Sequence, residues 1–344
     1  MSTTPTAMAR ETREAPDAVA RLLEREGDAI RALGRRLQGM DPPVVVTCAR
    51  GSSDHAAHYL KYLLETSLGL PVASVGPSVA SVFGTRLRLK GAVVVTVSQS
   101  GRAPDVLAFQ KAAKAGGALT VALVNDTAGP IATQADVVIP LQAGPELSVA
   151  ATKSFVASVA AGAAITAAWT GDAALAAGVA GLPERLRLAL DCDWRAAAPM
   201  FAAPSGYMLG RGPALAIAHE AALKTKEVTA RHAEAFSLAE VMHGPLQLVQ
   251  PGFPVLAFLP SDAARGVNAG ALERLAGVGA QVFAACPDAA GLPGTALPAV
   301  ACGHAALDPL GMILSFYGLV ESVARAKGLD PDRPSHLQKI TKTI

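Results

Sequence analysis

A chain of 344 residues with a formal charge of +2 has room for two ordinary domains, and it carries no broad basic field for nucleic acid or an anionic membrane. Half of it is apolar but only 4% is aromatic, so Ala, Val and Leu must build the core. Cys48, Cys192, Cys286 and Cys302 show neither C-x-x-C nor metal-like spacing with His and read as reduced thiols. The polar N-terminus lacks a secretory h-region, which implies a cytoplasmic protein.

The predicted elements begin with a helical lead-in over 1–35. A buried strand follows at 44–47, then the turn Gly51-Ser52-Ser53 and a helix over 54–68. Further strands are expected at 71–75 and 91–97, the latter leading through Ser98-Gln99-Ser100-Gly101 into a helix over 105–115. Strands at 119–124 and 136–141 precede a long apolar helix over 148–169, read as buried rather than membrane-spanning because it is mostly Ala and carries Lys153. Continuous Val and Leu runs spaced by helices indicate a parallel sheet covered on both faces.

A connector over 173–194 separates this domain, 36–172, from a second over 195–329, and a polar tail over 330–344 closes the chain. The second domain echoes the first at an offset of about 161 residues, which implies two copies of a whole domain. Its strand at 205–210, Arg211-Gly212-Pro213 and helix over 214–229 repeat the region from 44 to 64. The strand at 254–259 and Pro260-Ser261-Asp262 repeat 93–97 and the loop after it. The fold expected is α/β, two doubly wound, flavodoxin-like parallel sheets flanked by helices.

Ser98-Gln99-Ser100-Gly101 and Gly51-Ser52-Ser53 each lie between a strand and a helix, where backbone N–H groups and the helix dipole favour an anion. In a doubly wound sheet both loops meet at the crevice beyond the strand ends, which suits a phosphate. Ser as a simple helix N-cap is the bland alternative. There is no G-x-x-x-x-G-K-[ST], no G-x-G-x-x-G after the first strand, no G-x-S-x-G and no H-E-x-x-H, and nothing calls for a metal or cofactor.

Glu220, Lys224 and Glu227 share one helical face, which alone reads as a surface ion-pair stripe. His232, Glu234, Glu240 and His243-Gly244-Pro245 follow in a stretch with few apolar residues. Glu and His are the groups that enolisation and sugar-ring opening need. Lys339 reads on spacing alone as a solvated basic residue.

These residues resemble the tandem sugar isomerase (SIS) domain proteins, in particular the isomerase half of glutamine–fructose-6-phosphate amidotransferase and the stand-alone SIS-type glucosamine-6-phosphate deaminases. The resemblance runs from Met8 to Ile344. It is carried by Met8, Glu11 and Glu14-Ala15-Pro16, both serine loops, Gly144-Pro145-Glu146 and Val149-Ala150-Ala151-Thr152-Lys153. It continues in Leu209-Gly210-Arg211-Gly212, Glu220-Ala221-Ala222-Leu223-Lys224-Thr225-Lys226-Glu227, His232-Ala233-Glu234-Ala235-Phe236, Glu240-Val241-Met242-His243-Gly244-Pro245, Asp332-Arg333-Pro334 and Leu337-Gln338-Lys339.

The resemblance implies that Ser53, Ser98, Gln99 and Ser100 hold a sugar phosphate, with Gly51 and Lys224 also at the binding site. It implies that Ser52 and the backbone at Val149 and Gln338 meet sugar hydroxyls. Glu227 would shuttle a proton between C1 and C2, His243 would open the ring of a neighbouring subunit's substrate, and Lys339 would approach the carbonyl carbon. A homodimer with its active site near the interface follows. Ala103 stands where the family often has a hydroxyl, and Arg50, in place of a small residue, could restore a charge. No glutaminase-type nucleophilic cysteine precedes the region, which points to deamination of glucosamine 6-phosphate to fructose 6-phosphate. Another aminosugar or fructosamine phosphate, or a sensor without catalysis, are the alternatives.

Overall fold

The computed structural model describes residues 5–339; the ends of the lead-in and of the tail lie outside the described residues. The chain divides into two compact units. The first comprises residues 17–146, 153–180 and 338–339, and the second residues 5–16, 147–152 and 181–337.

The lead-in helix α1, Ala7–Met40, contributes its first ten residues to the second unit and the remainder to the first. In the first unit the strands are β1 (Val45–Cys48), β2 (Val72–Ser74), β3 (Val93–Ser98), β4 (Leu119–Val124) and β5 (Val137–Pro140). They form one parallel sheet in the order β2-β1-β3-β4-β5, the flavodoxin-like order. Every residue of β1, β3 and β4 is buried, as expected of central strands covered on both faces. Helices α2 (Ser52–Leu68), α3 (Ser78–Ser81), α4 (Pro104–Ala115), α5 (Pro130–Gln134) and α6 (Lys153–Thr170) complete the unit, and α7 (Ala173–Ala189) leads out of it.

The second unit has β6 (Tyr207–Gly210), α8 (Pro213–Thr229), β7 (Glu234–Ser237), β8 (Pro254–Phe258), α9 (Arg265–Gly277), β9 (Gln281–Cys286), β10 (Thr295–Pro298) and α10 (Asp308–Ala326). Its parallel sheet has the order β10-β9-β8-β6-β7, the same topology as the first. The registers repeat as well. Val46 pairs with Ala73 and Val94, while Tyr207, 161 residues further on, pairs with Glu234 and Val255. The predicted duplication is therefore a duplication of strand register, not only of element order.

Two segments differ from expectation. The long helix begins at Lys153 rather than at 148. The Glu146 carboxylate accepts the Ser154 N–H at 3.1 Å and its hydroxyl at 2.6 Å, which caps the first turn. In the second unit, Glu11 of α1 accepts the backbone N–H groups of Leu147 and Ser148, holding them off a helical path. The stretch after α8, read as poor in apolar residues, contains β7 and the buried Ala233, Leu238 and Val241. Phe236 meets the Tyr207 ring edge-on at 5.1 Å. The connector is largely one helix, α7, with Pro183 inside it.

Cys48 and Cys302 are buried free thiols whose pKa values burial pushes up to about 12, with nearby Asp105 adding to the rise at Cys48 and Asp308 at Cys302. The segment Ala305–Ala326 is long and apolar enough to cross a membrane, but it is mostly buried inside the protein, as a core helix would be.

Candidate functional site

In the first unit the two serine loops flank the point where strand order reverses, between β1 and β3. Gly51, directly before α2, has φ 56° and ψ −133°, a conformation open to glycine and strained for other residues. Helix α2 starts behind it with no side-chain cap on its N-terminus. Across the reversal, the Ser98 hydroxyl accepts the Gly101 N–H at 3.0 Å and the Ser100 hydroxyl accepts the Arg102 N–H at 3.3 Å. A hydroxyl that accepts a backbone N–H keeps its own proton for another acceptor, so both serines remain potential donors to an anion.

The start of α4 is less available than its position suggests. Asp105, fully buried, accepts the Val106 N–H at 2.8 Å. Arg50 supplies the counter-charge, its Nε and Nη2 lying 2.8 and 2.7 Å from Asp105 Oδ2. This ion pair ties the loop after β1 to the first turn of α4, and the half-exposed guanidinium puts a positive charge at the rim of the crevice.

Gly101 proves to be required by protein rather than by ligand. A Cβ on Gly101 would lie 2.8 Å from the Asp126 carbonyl, and one on Gly129 would lie 2.6 Å from the Gly101 carbonyl. The loops after β3 and β4 therefore touch backbone to backbone. Gly129→Ala should force them apart and destabilise the first unit by about 1–3 kcal/mol. Thermal denaturation checks this, and an unchanged midpoint would show that the loops are not in rigid contact.

The copy of these loops in the second unit keeps the turn and, apart from Ser261 at the place of Ser100, replaces the polar side chains. Gly212 has φ 59° and ψ −135°, nearly the angles of Gly51. Pro213 and Ala214 follow it in place of Ser52 and Ser53. Leu259 and Pro260 stand at the places of Ser98 and Gln99.

The second unit instead carries the charged face of α8. Glu220 and Lys224 are buried, with side chains 0% and 1% exposed, so they form no surface stripe. Lys224 Nζ lies 3.4 Å from Glu220 Oε1 and in close contact with Glu227 Oε2. Glu227 is 19% exposed and lines a cavity of about 630 Å³ with Leu223, Lys226, Arg333, His336 and Leu337. The tail wall of this cavity is anchored. Asp332 accepts the Ala7 and Met8 N–H groups at 2.6 and 2.8 Å, and its carbonyl accepts the Val149 N–H at 3.3 Å. The Val149 N–H is thus already engaged.

His243 follows a short 3-10 turn, is exposed, and is not among the residues lining the Glu227 cavity. In the first unit Gln338 is exposed, while Lys339 places its Nζ 3.2 Å from the buried carboxylate of Glu146. Lys339 is therefore not simply solvated. Glu146, Asp332, Arg333 and His336 had no assigned role in the sequence. The first three lie within the quoted motifs, but nothing in their spacing marks a clamp or a cavity wall.

The known proteins most informative for this geometry share both sheets. A solved structure from Silicibacter pomeroyi DSS-3, provisionally named a phosphosugar isomerase, is 48% identical and covers 95% of this chain and 100% of its own, with a TM-score of 0.90. The C-terminal domain of glucosamine-fructose-6-phosphate aminotransferase from Francisella tularensis, at 23% identity, covers 96% of this chain and 99% of its own with a TM-score of 0.82, and so shares the fold. The glutamine–fructose-6-phosphate aminotransferase (isomerizing) of Halobacterium salinarum is 35% identical over 326 residues, 88% of this chain and 52% of that protein. The chain spans about half the length of the curated relatives it matches. The SIS domain model matches residues 42–168 and 200–288, one segment on each sheet, and the chain belongs to the SIS domain family.

Proposed function

We propose that the protein is a phosphosugar isomerase that releases ammonia, a glucosamine-6-phosphate deaminase of the SIS type. The observation that carries this reading is the buried Lys224 ammonium, held against Glu220 and Glu227, with Glu227 on a cavity wall. A carboxylate so placed suits the transfer of a proton between neighbouring carbons. The names of two relatives support its isomerase part, one being an isomerizing aminotransferase and another provisionally a phosphosugar isomerase.

Starting from the amino sugar, the chemistry needs only water. Glu227 takes the proton from C2 of open-chain glucosamine 6-phosphate, and the electron pair forms the C1–C2 double bond as the C1 carbonyl oxygen becomes a hydroxyl with a proton from water, which the amino group gives back when the imine forms. Return of the proton to C1 leaves an imine at C2. Water adds to the imine, ammonia leaves, and fructose 6-phosphate remains.

In this scheme Ser53, Ser98, Gln99 and Ser100 hold the phosphate beside Gly51, and Ser52, Val149 and Gln338 meet sugar hydroxyls. Lys339 approaches the carbonyl carbon. His243 would open the ring held by a second copy in a homodimer, which accords with its exposure outside the Glu227 cavity.

The decisive assay incubates the protein with glucosamine 6-phosphate, galactosamine 6-phosphate and fructosamine 6-phosphate, measuring ammonia and ketose phosphate together. Equal release of ammonia and fructose 6-phosphate from the first is expected. Release from another substrate alone would move the assignment to that sugar, and binding without turnover would remove catalysis. Ser98→Ala and Ser100→Ala should each raise KM about tenfold, as loss of a hydrogen bond to a charged group does, with kcat little changed. A loss of turnover at constant KM would contradict the phosphate cradle.

A further inference from the structure

Helix α8 is backed by α10, and one polar side chain of α10 enters the charged cluster described above. Tyr317 is fully buried. Its hydroxyl donates to Glu220 Oε1 at 3.2 Å, the same oxygen that lies 3.4 Å from Lys224 Nζ. Lys224 in turn meets Glu227 Oε2. The four groups form a single file from the core to the cavity, and three of them are closed to water.

Buried polar groups arranged in this way are costly unless each is satisfied, and once satisfied they fix one another's positions. Glu220 has no solvent to swing into, so its orientation depends on its donors. Lys224 has a long, flexible stem whose head group is placed by the acceptors around it. Glu227 engages Lys224 through Oε2, which directs the carboxylate as a whole.

We propose that Tyr317 is a positioning residue for proton transfer: by holding Glu220, it sets Lys224 and through it the aim of Glu227. Tyr317 does not touch the substrate. The proposal rests on Glu227 as the base and extends the site by a residue 90 positions away in sequence. Placement matters to this chemistry because proton transfer requires the base within hydrogen-bond reach of the carbon-bound proton, and small misplacements are costly.

Tyr317→Phe keeps the ring and removes the hydroxyl. With the aminosugar phosphate that the wild-type protein turns over, kcat should fall about tenfold and KM stay within about twofold. Incorporation of solvent deuterium into carbon-bound positions of fructose 6-phosphate should slow in parallel. In a Glu220→Leu background, where the acceptor that relays the effect is gone, Tyr317→Phe should cost little more. A purely structural tyrosine would instead lower the thermal midpoint and leave kcat and exchange untouched. That result, or full additivity with Glu220→Leu, would overturn the proposal. If Tyr317→Phe does not fold, Glu220→Gln alone supplies the test, with the same loss confined to kcat expected and wild-type kcat refuting it. Deuterium incorporation that persists in Glu227→Gln would refute the base assignment itself, whatever Tyr317→Phe does.

Discussion

Glu227→Gln is expected to lower kcat about a thousandfold while KM for the sugar phosphate stays near its wild-type value. The substitution keeps the shape of the side chain and an oxygen for Lys224, so the cluster on α8 can remain assembled. Only the ability to accept a proton from carbon is lost. Because Glu227 is partly exposed on a cavity wall, removing its charge leaves no buried void. Folding should therefore be little affected, and a circular dichroism melt separates the catalytic loss from a structural one. Turnover within tenfold of wild type would remove Glu227 from the proton path.

Lys224→Met is expected to damage the fold rather than the chemistry alone. It leaves the Glu220 carboxylate fully buried with its ammonium counter-charge gone and Glu227 still nearby. Breaking one side of a buried ion pair costs about 3–5 kcal/mol. For a unit of this size, that lowers the thermal midpoint on the order of 10 °C. The double variant Glu220→Leu/Lys224→Met should recover much of the loss, since apolar side chains can replace a buried pair at little cost in stability. Recovery of stability without recovery of activity would separate the two roles of Lys224. An unchanged midpoint in Lys224→Met alone would show that Glu220 finds compensation elsewhere.

The parallel sheets were legible because their central strands are buried on both faces and so read as unbroken Val and Leu runs. The edge strand β7 was hidden by its composition: Glu234 and Ser237 bracket only two apolar residues, and His232 and Glu240 nearby suggested a catalytic stretch. The repeat contained the missing signal. Moving the strand expected at 71–75 forward by 161 residues lands on 232–236, which overlaps β7.

The position of the serine loops was legible because a turn between a strand and a helix is fixed by local sequence. The Glu220–Lys224–Glu227 face was visible as spacing, but helical spacing does not reveal which side faces water. Burial by α10 decides that, and α10 lies about 90 residues away along the chain. The same holds for the contact of Glu146 with Lys339 and of Asp332 with Ala7 and Met8, which join residues far apart in sequence.

The paired turns at Gly51 and Gly212 bear on how the loop after β1 comes by its shape. The second copy holds the same backbone angles although Pro213 and Ala214 have replaced the hydroxyls. A conformation kept where no such ligand chemistry remains is imposed by the passage from strand to helix. The loop at Gly51 thus stands ready before any anion arrives. Binding there need not spend affinity on ordering the backbone, and the strength of the grip is left to the side chains around it.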